Sequence, residues 1–124
     1  MGRVRFTGII AALIGLMAAS VAAHHSFSAE YDSNKPITLT GKVIEMRWSN
    51  PHAWIYINVT GKDGKAVKWA WETGGANPLY RRGWRTEDLV AGTELVIDGY
   101  QARNGSTTAN ATSITFKDGR RPVG

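Results

Sequence analysis

PITLTGKVIEMRWSN, residues 36–50, has the apolar pattern of one long, bent β-strand. Apolar side chains recur at every second position from Ile37 to Val43, and the pattern then shifts phase at Ile44 and continues to Trp48. A strand shifts phase in this way when it bends through a β-bulge. The length and the bend together predict a first strand that pairs in two sheets.

Four further segments alternate apolar and polar residues as strands do: AWIYINVT (53–60), AVKWAWETG (66–74), TELVIDGYQAR (93–103) and TTANATSITF (107–116). The dipeptide Asp63-Gly64 lies between the first two, and Asn104-Gly105 lies between the last two. Both dipeptides favour tight hairpin turns. The pattern therefore predicts two hairpins in addition to the long first strand.

The alternation stops between Gly74 and Gly92. There Asn77 precedes a proline, as a capping residue precedes the first position of a helix. Thr86, followed by two acids, marks a second helix start, and Gly92 marks the end. One or two short helical turns are expected in this segment.

The predicted order is three strands, a short helix and two more strands. This is the order of an all-β, OB-like five-stranded barrel with one short helix. A small β-sandwich is the alternative, because strand order alone does not prove closure. The tryptophans are interpreted mainly as packing residues. The predicted core includes Ile55, Ile57, Val67, Trp69, Leu95 and Ile97.

The amino-terminal segment predicts export. Residues 1–23 have two arginines, then a short apolar run and small residues suited to cleavage after Ala22 or Ala23, as in a signal peptide. The expected organisation is a signal peptide over 1–23, an N-terminal arm over 24–36 and the barrel domain over 37–124. The mature protein is expected to be periplasmic or secreted, with no stable membrane anchor after cleavage.

The charge and the lack of cysteine narrow the function classes. The chain has a net charge of +5, and removal of Arg3 and Arg5 with the signal peptide leaves +3. This mild excess and the predicted export argue against a nucleic-acid partner. Because the chain has no cysteine, its core must stabilise it without disulfides.

The three histidines are the candidate metal ligands. Cleavage after Ala23 makes His24 the first residue, whose α-amine and imidazole can chelate one ion. His52, in the turn after the first strand, is the candidate for a third nitrogen. Three nitrogens in one plane suit Cu(II), so copper is the hypothesised cofactor.

Cleavage after Ala22 instead leaves Ala23 in front of two histidines. In that product the amine, two amides and the imidazole of His25 can surround Cu(II) or Ni(II) in a square plane. The acids Glu30 and Asp32 are weaker candidates, as an axial oxygen ligand or as a partner that orients an imidazole.

Three segments, HHSFSAEYD, NPHAWIYINV and RRGW, carry a resemblance to a known family. The chain resembles small exported bacterial proteins filed as a domain of unknown function, which have an HHSF start after the signal peptide and an NPHAW segment. The resemblance covers essentially the whole mature chain. It supports the fold and the two histidine segments, and it implies no particular activity.

Three functions are consistent with these observations. The first is a periplasmic Cu(II)-binding protein that uses the mature N-terminal His24 with His52 or His25. The second is a metal-independent OB-like binding module for a small molecule, a glycan or a protein. The third, ranked last, is a small oxidative enzyme with histidine-bound copper. The enzyme is ranked last because a mature chain of 101 residues offers little extra surface for a polymeric substrate, and the sequence also has no nucleophile elbow, phosphate loop or zinc-protease helix motif. The protein partner stays unknown.

Overall fold

The computed structural model describes residues 27–122. The chain divides into two compact units at the bond between Glu30 and Tyr31. In the first unit, residues 27–30 are helical, and the predicted signal peptide, His24 and His25 lie outside the described residues. No helix in the described part of the chain is long and apolar enough to cross a membrane.

The second unit is a closed five-stranded barrel. Its strands are β1 (Tyr31–Arg47), β2 (Trp54–Thr60), β3 (Ala66–Glu72), β4 (Glu94–Ala102) and β5 (Thr108–Phe116). Around the barrel they lie in the order β1-β2-β3-β5-β4, and β4 pairs again with β1. This is the strand order of an OB-like Greek-key barrel, so closure decides against the β-sandwich.

Strand β1 pairs antiparallel with both β2 and β4, as its length predicts. Its register with β2 shifts between Val43 and Glu45, where the apolar phase changes. The strand begins at Tyr31, within the segment assigned to the arm, because that residue pairs with Ala102 of β4. Most side chains between Tyr31 and Ile37 are exposed, so the apolar pattern does not reveal this first part of the strand.

Both hairpin turns form where the sequence predicts them. Gly64 and Gly105 have φ angles of 78° and 75°, the left-handed region that favours glycine. In the first turn, the Gly64 amide donates to the carbonyl of Gly61 at 3.0 Å. In the second, the Gly105 amide donates to the carbonyl of Ala102 at 3.0 Å.

The core confirms most of the predicted residues. Four of them have no solvent exposure: Ile55, Ile57, Leu95 and Ile97. Trp69 is half-buried and packs against the core. The prediction for Val67 is wrong, because its side chain is 42% exposed. Val67 lies near the hairpin turn, opposite Val59, beyond the fully buried layer.

The segment between β3 and β4 forms helix α1 (Ala76–Arg81) and a 3₁₀ helix (Thr86–Leu89). The 3₁₀ helix begins at Thr86 as predicted, and the side chain of Asp88 accepts a hydrogen bond from the Arg85 amide at 2.9 Å. The expected start of α1 is wrong in detail: Gly75 is the N-cap and Asn77 lies inside the helix.

The barrel closes through a short parallel pairing of β3 with β5. Only three residue pairs join these strands, from Ala70 with Thr108 to Glu72 with Asn110. Close by, a Cβ atom at Gly99 would clash with the Asn110 carbonyl oxygen and lie 2.9 Å from Cζ3 of Trp71. The backbones therefore approach at this point only because residue 99 lacks a side chain.

Candidate functional site

The turn that contains His52 is attached to the start of α1 by two hydrogen bonds. The amide of Ala76 donates to the carbonyl of Ser49 at 2.9 Å, and the amide of Asn77 donates to Oδ1 of Asn50 at 3.1 Å. The side chain that caps the helix therefore comes from Asn50 in the β1–β2 turn and not from a residue next to the helix in sequence. This arrangement fixes the turn against the end of the barrel.

Two further contacts make the turn compact. A Cβ atom at Gly75 would clash with Oδ1 of Asn50 and lie 2.7 Å from the Pro51 carbonyl oxygen, so only glycine allows the helix start this close. On the other side, the amide of Thr73 donates to the carbonyl of Ala53 at 2.9 Å. The residue after His52 is therefore held by a backbone hydrogen bond, and the residue before it lies close against Gly75.

The side chain of His52 is bound to a buried carboxylate. Its Nδ1 lies 2.8 Å from Oε1 of Glu72, the last residue of β3. The other oxygen, Oε2, accepts a hydrogen bond from the hydroxyl of Tyr31. Glu72 thus connects the start of β1 to the β1–β2 turn.

This triad has one exposed member and two buried ones. The side chain of His52 is 59% exposed and that of Glu72 is 11% exposed, while Tyr31 is 4% exposed. Because Nδ1 points to a carboxylate, it carries the proton of a neutral imidazole, and the lone pair lies on Nε2. Histidines that bind metals are commonly oriented by such a carboxylate.

A basic and aromatic surface lies on the same side of β2 as Trp54. Since side chains alternate along a strand, Trp54 and Tyr56 share a face. The ring of Tyr56 has the guanidinium carbon of Arg47 at 5.0 Å from its centroid and Nζ of Lys68 at 4.8 Å. A hydrogen bond from Arg47 Nε to Glu45, 3.0 Å long, raises the pKa of Arg47 above its usual value.

A second aromatic group lies between the end of β1 and α1. The rings of Trp48 and Tyr80 are stacked, with centroids 5.0 Å apart and an angle of 8° between planes. The Arg85 guanidinium group, 5.9 Å from the Tyr80 centroid, donates to the carbonyls of Tyr80 and Trp84 at 3.0 and 2.9 Å. In the RRGW segment, the tryptophan is buried and both arginines are exposed.

Of the other predicted ligands, Glu30 and Asp32 lie within the described residues. Glu30 is exposed, and Oδ1 of Asp32 accepts a hydrogen bond from the amide of Asn34 at 2.9 Å. His24 and His25 lie outside the described residues. Within residues 27–122 no three histidine, aspartate or glutamate side chains cluster as a metal site.

Sequence reasoning missed Glu72, although a signal for it exists. The hairpin turn at Asp63-Gly64 sets the register of β2 and β3, in which Thr60 opposes Ala66 and Trp54 opposes Glu72. Counting back from the turn therefore places Glu72 close to the turn that contains His52. Tyr31 offers no such signal, because its place depends on the pairing of β1 with β4.

Comparison with known proteins identifies the family and no activity. No curated protein matches the chain significantly. The chain is similar in structure to the dimeric N-terminal domain of PriB protein from Thermoanaerobacter tencongensis, with 19% identity, a TM-score of 0.49 and coverage of 68% of this chain and 97% of that one. A model of a family of unknown function matches residues 12–111. The chain therefore belongs to this family, DUF6152.

Proposed function

We propose that the protein is an exported Cu(II)-binding protein in which His52 supplies one imidazole ligand and the mature N-terminal His24 supplies an amine and a second imidazole. The observation that supports this most directly is the 2.8 Å contact between Nδ1 of His52 and the carboxylate of Glu72. That contact leaves Nε2 as the free nitrogen of an exposed ring.

Glu72 prepares His52 for a metal in two ways. As a hydrogen-bond acceptor it fixes the proton on Nδ1, and it holds the ring so that Nε2 points away from the carboxylate. Because Glu72 is also held by Tyr31, the carboxylate does not have to be ordered when an ion binds. An oriented imidazole loses less entropy on binding than a free one.

The chain length between the two parts of the proposed site is short. His24 precedes Tyr31 by seven residues, and the hydroxyl of Tyr31 is bonded to the same carboxylate as His52. Seven residues extend over at most roughly 25 Å. A linker of this length is compatible with a site that uses both residues.

The set of donors favours Cu(II). One amine and two imidazoles are the nitrogen ligands that Cu(II) accepts in a tetragonal plane. The chain has no cysteine, and Met46 is the only methionine after residue 23, so the soft ligands of a Cu(I) carrier are lacking. Histidine and amine donors must lose protons to bind, so Cu(II) affinity is expected to fall in acid.

The test begins with the exported protein purified from the periplasm, whose first residue is read by mass spectrometry. Cu(II) is then titrated, and electron paramagnetic resonance counts the coupled nitrogens. With His24 first, His52→Ala should remove one coupled nitrogen and weaken binding, whereas His25→Ala should leave both unchanged. Cu(II) affinity that is unaffected by His52→Ala would overturn the proposal.

Glu72→Gln separates the role of the carboxylate from that of the ligand. The variant should weaken Cu(II) binding by roughly 10- to 100-fold while keeping the number of coupled nitrogens. Glu45→Gln, which changes an exposed acid on β1, is the matched control and should bind as the wild type does. Equal affinities for all three proteins would contradict the orienting role.

A metal-independent binding module is the second candidate, supported by the Tyr56 surface. OB-like barrels bind ligands on the face of strands two and three, where Arg47 and Lys68 flank the Tyr56 ring. An anionic glycan is a suitable probe, with a single-stranded DNA oligonucleotide as the comparison. This function is favoured if copper-free protein binds the glycan, loses that binding in Tyr56→Ala and keeps it in His52→Ala. Binding of the DNA that is tighter than binding of the glycan would contradict the expected absence of a nucleic-acid partner.

A further inference from the structure

A cavity of about 400 Å³ lies beside α1, and none of Tyr31, His52 and Glu72 lines it. It is bounded by the helix, by Trp84 and by the middle of β5, and its volume lies within the range of about 300–1,000 Å³ typical of small-molecule sites. We infer that this cavity binds a small amphipathic carboxylate, whose apolar part contacts the floor and whose carboxylate contacts Arg82 and Arg121.

The floor of the cavity is apolar and firmly packed. Leu79 and Trp84 form its rigid base and are themselves only 1% and 4% exposed, so the half-buried Ala111 and Pro122 supply accessible apolar surface. Ile114 of β5 adds a half-buried side chain to the same lining. A preformed apolar wall of this kind contributes affinity without having to reorganise.

The only charged side chains in the described lining are two arginines. Both Arg82 and Arg121 are exposed, and in residues 27–122 no acidic side chain forms a salt bridge with either one. Guanidinium groups bind carboxylates through paired hydrogen bonds. A cationic rim above an apolar floor therefore matches an anionic head on an apolar body.

The hydroxyls of the lining do not compete for this role. Those of Thr112 and Ser113 donate to the carbonyl and the carboxylate of Asp98, at 3.1 and 2.7 Å. The other two lining hydroxyls, of Thr73 and Thr115, donate to backbone carbonyls at 2.7 and 3.4 Å. With these donors already used, recognition of the anion falls to the arginines.

Titration of the ¹⁵N-labelled, copper-free protein with octanoate tests the inference. Octanoate should shift the indole signal of Trp84 and the backbone signals of Ile114, whereas octylamine should not. Arg82→Gln combined with Arg121→Gln should weaken octanoate binding by about tenfold or more. Arg81→Gln, which changes a neighbouring exposed arginine outside the cavity lining, is the matched control and should bind normally.

Three results would overturn the inference. Octanol binding as tightly as octanoate would show that the arginines are not used. Equal losses in the double variant and in Arg81→Gln would show a general effect of charge. Signal shifts at His52 without shifts at Trp84 would place octanoate at the His52 site. Because the protein is copper-free, none of these results depends on the proposed metal function.

Discussion

Nδ1 of His52 lies 2.8 Å from Oε1 of Glu72, so an exposed imidazole at the end of the barrel is held by a carboxylate that is almost fully buried. The carboxylate is held in turn by Tyr31, at the start of the first strand. The orientation of the ring thus depends on the folded barrel and not on the turn alone.

Tyr31→Phe should lower the free energy of unfolding by about 1.5–3 kcal/mol, because it removes a buried hydrogen bond to a charged group and keeps the ring. Urea denaturation measures the change. Tyr80→Phe, in which the stacked ring is exposed, is the control and should change stability by less than about 0.5 kcal/mol. Equal losses would show that the Tyr31 hydroxyl has no special role.

Asn50→Ala should destabilise the protein by about 0.5–2 kcal/mol, since the Asn50 side chain caps α1 through the amide of Asn77. The loss is measured by thermal or urea unfolding. Asn77→Ala keeps that amide and removes only an exposed side chain, so its effect should be small. A larger loss in Asn77→Ala would contradict the assignment of the cap.

Gly99→Ala should destabilise the barrel by at least about 1–3 kcal/mol, because the new methyl group meets the Asn110 carbonyl and Trp71. Gly74→Ala is the matched control, since its nearest contact would be an ordinary 3.6 Å from Pro78. Calorimetry of both variants gives the comparison. Similar melting temperatures would mean that the β4–β5 approach is not close.

Stability should decrease in acid through Asp98. Hydrogen bonds from Thr38 and then from Ser113 lower the pKa of Asp98 below its usual value. The carboxylate therefore stabilises the folded state above the unfolded pKa of about 3.9, and this contribution is lost as the pH falls through the lower folded-state pKa.

Ser113→Ala tests this pH dependence. Its stability deficit relative to wild type should shrink as the pH falls from about 5 through the folded-state pKa of Asp98, because protonated Asp98 no longer gains from the hydroxyl. Thr112→Val removes a hydroxyl that donates to the Asp98 backbone carbonyl, so its deficit should not vary with pH. A constant deficit for Ser113→Ala would contradict the assignment.

The sequence was sufficient to predict the strands apart from the exposed first part of β1, because local signals determine them. The phase shift at Ile44 marks the bulge, and Asp63-Gly64 and Asn104-Gly105 fix both hairpins. The cap of α1 was predicted at the wrong residue, because a distant side chain, Asn50, satisfies the helix amides better than a local one. Local patterns cannot reveal a donor or acceptor that arrives through tertiary structure.

The candidate site was predictable only in part. His52 was identified from its turn, whereas its carboxylate partner was sought near the arm, in Glu30 and Asp32. The partner is Glu72, because the β2–β3 register carries it to the same end of the barrel. Copper binding, and the roles of His24 and His25 in it, stay predictions.

The three-pair junction of β3 with β5 gives the barrel a weak point for transient opening, or breathing. The amide hydrogens of Ala70 and Glu72, which face β5, should exchange with solvent sooner than those in the centre of the long β1–β4 ladder. Glu72 is the final residue of that junction and contacts His52, so an ion bound to His52 would stabilise the closed junction and slow amide exchange there. The exchange rate at this junction would then indicate whether the site is occupied.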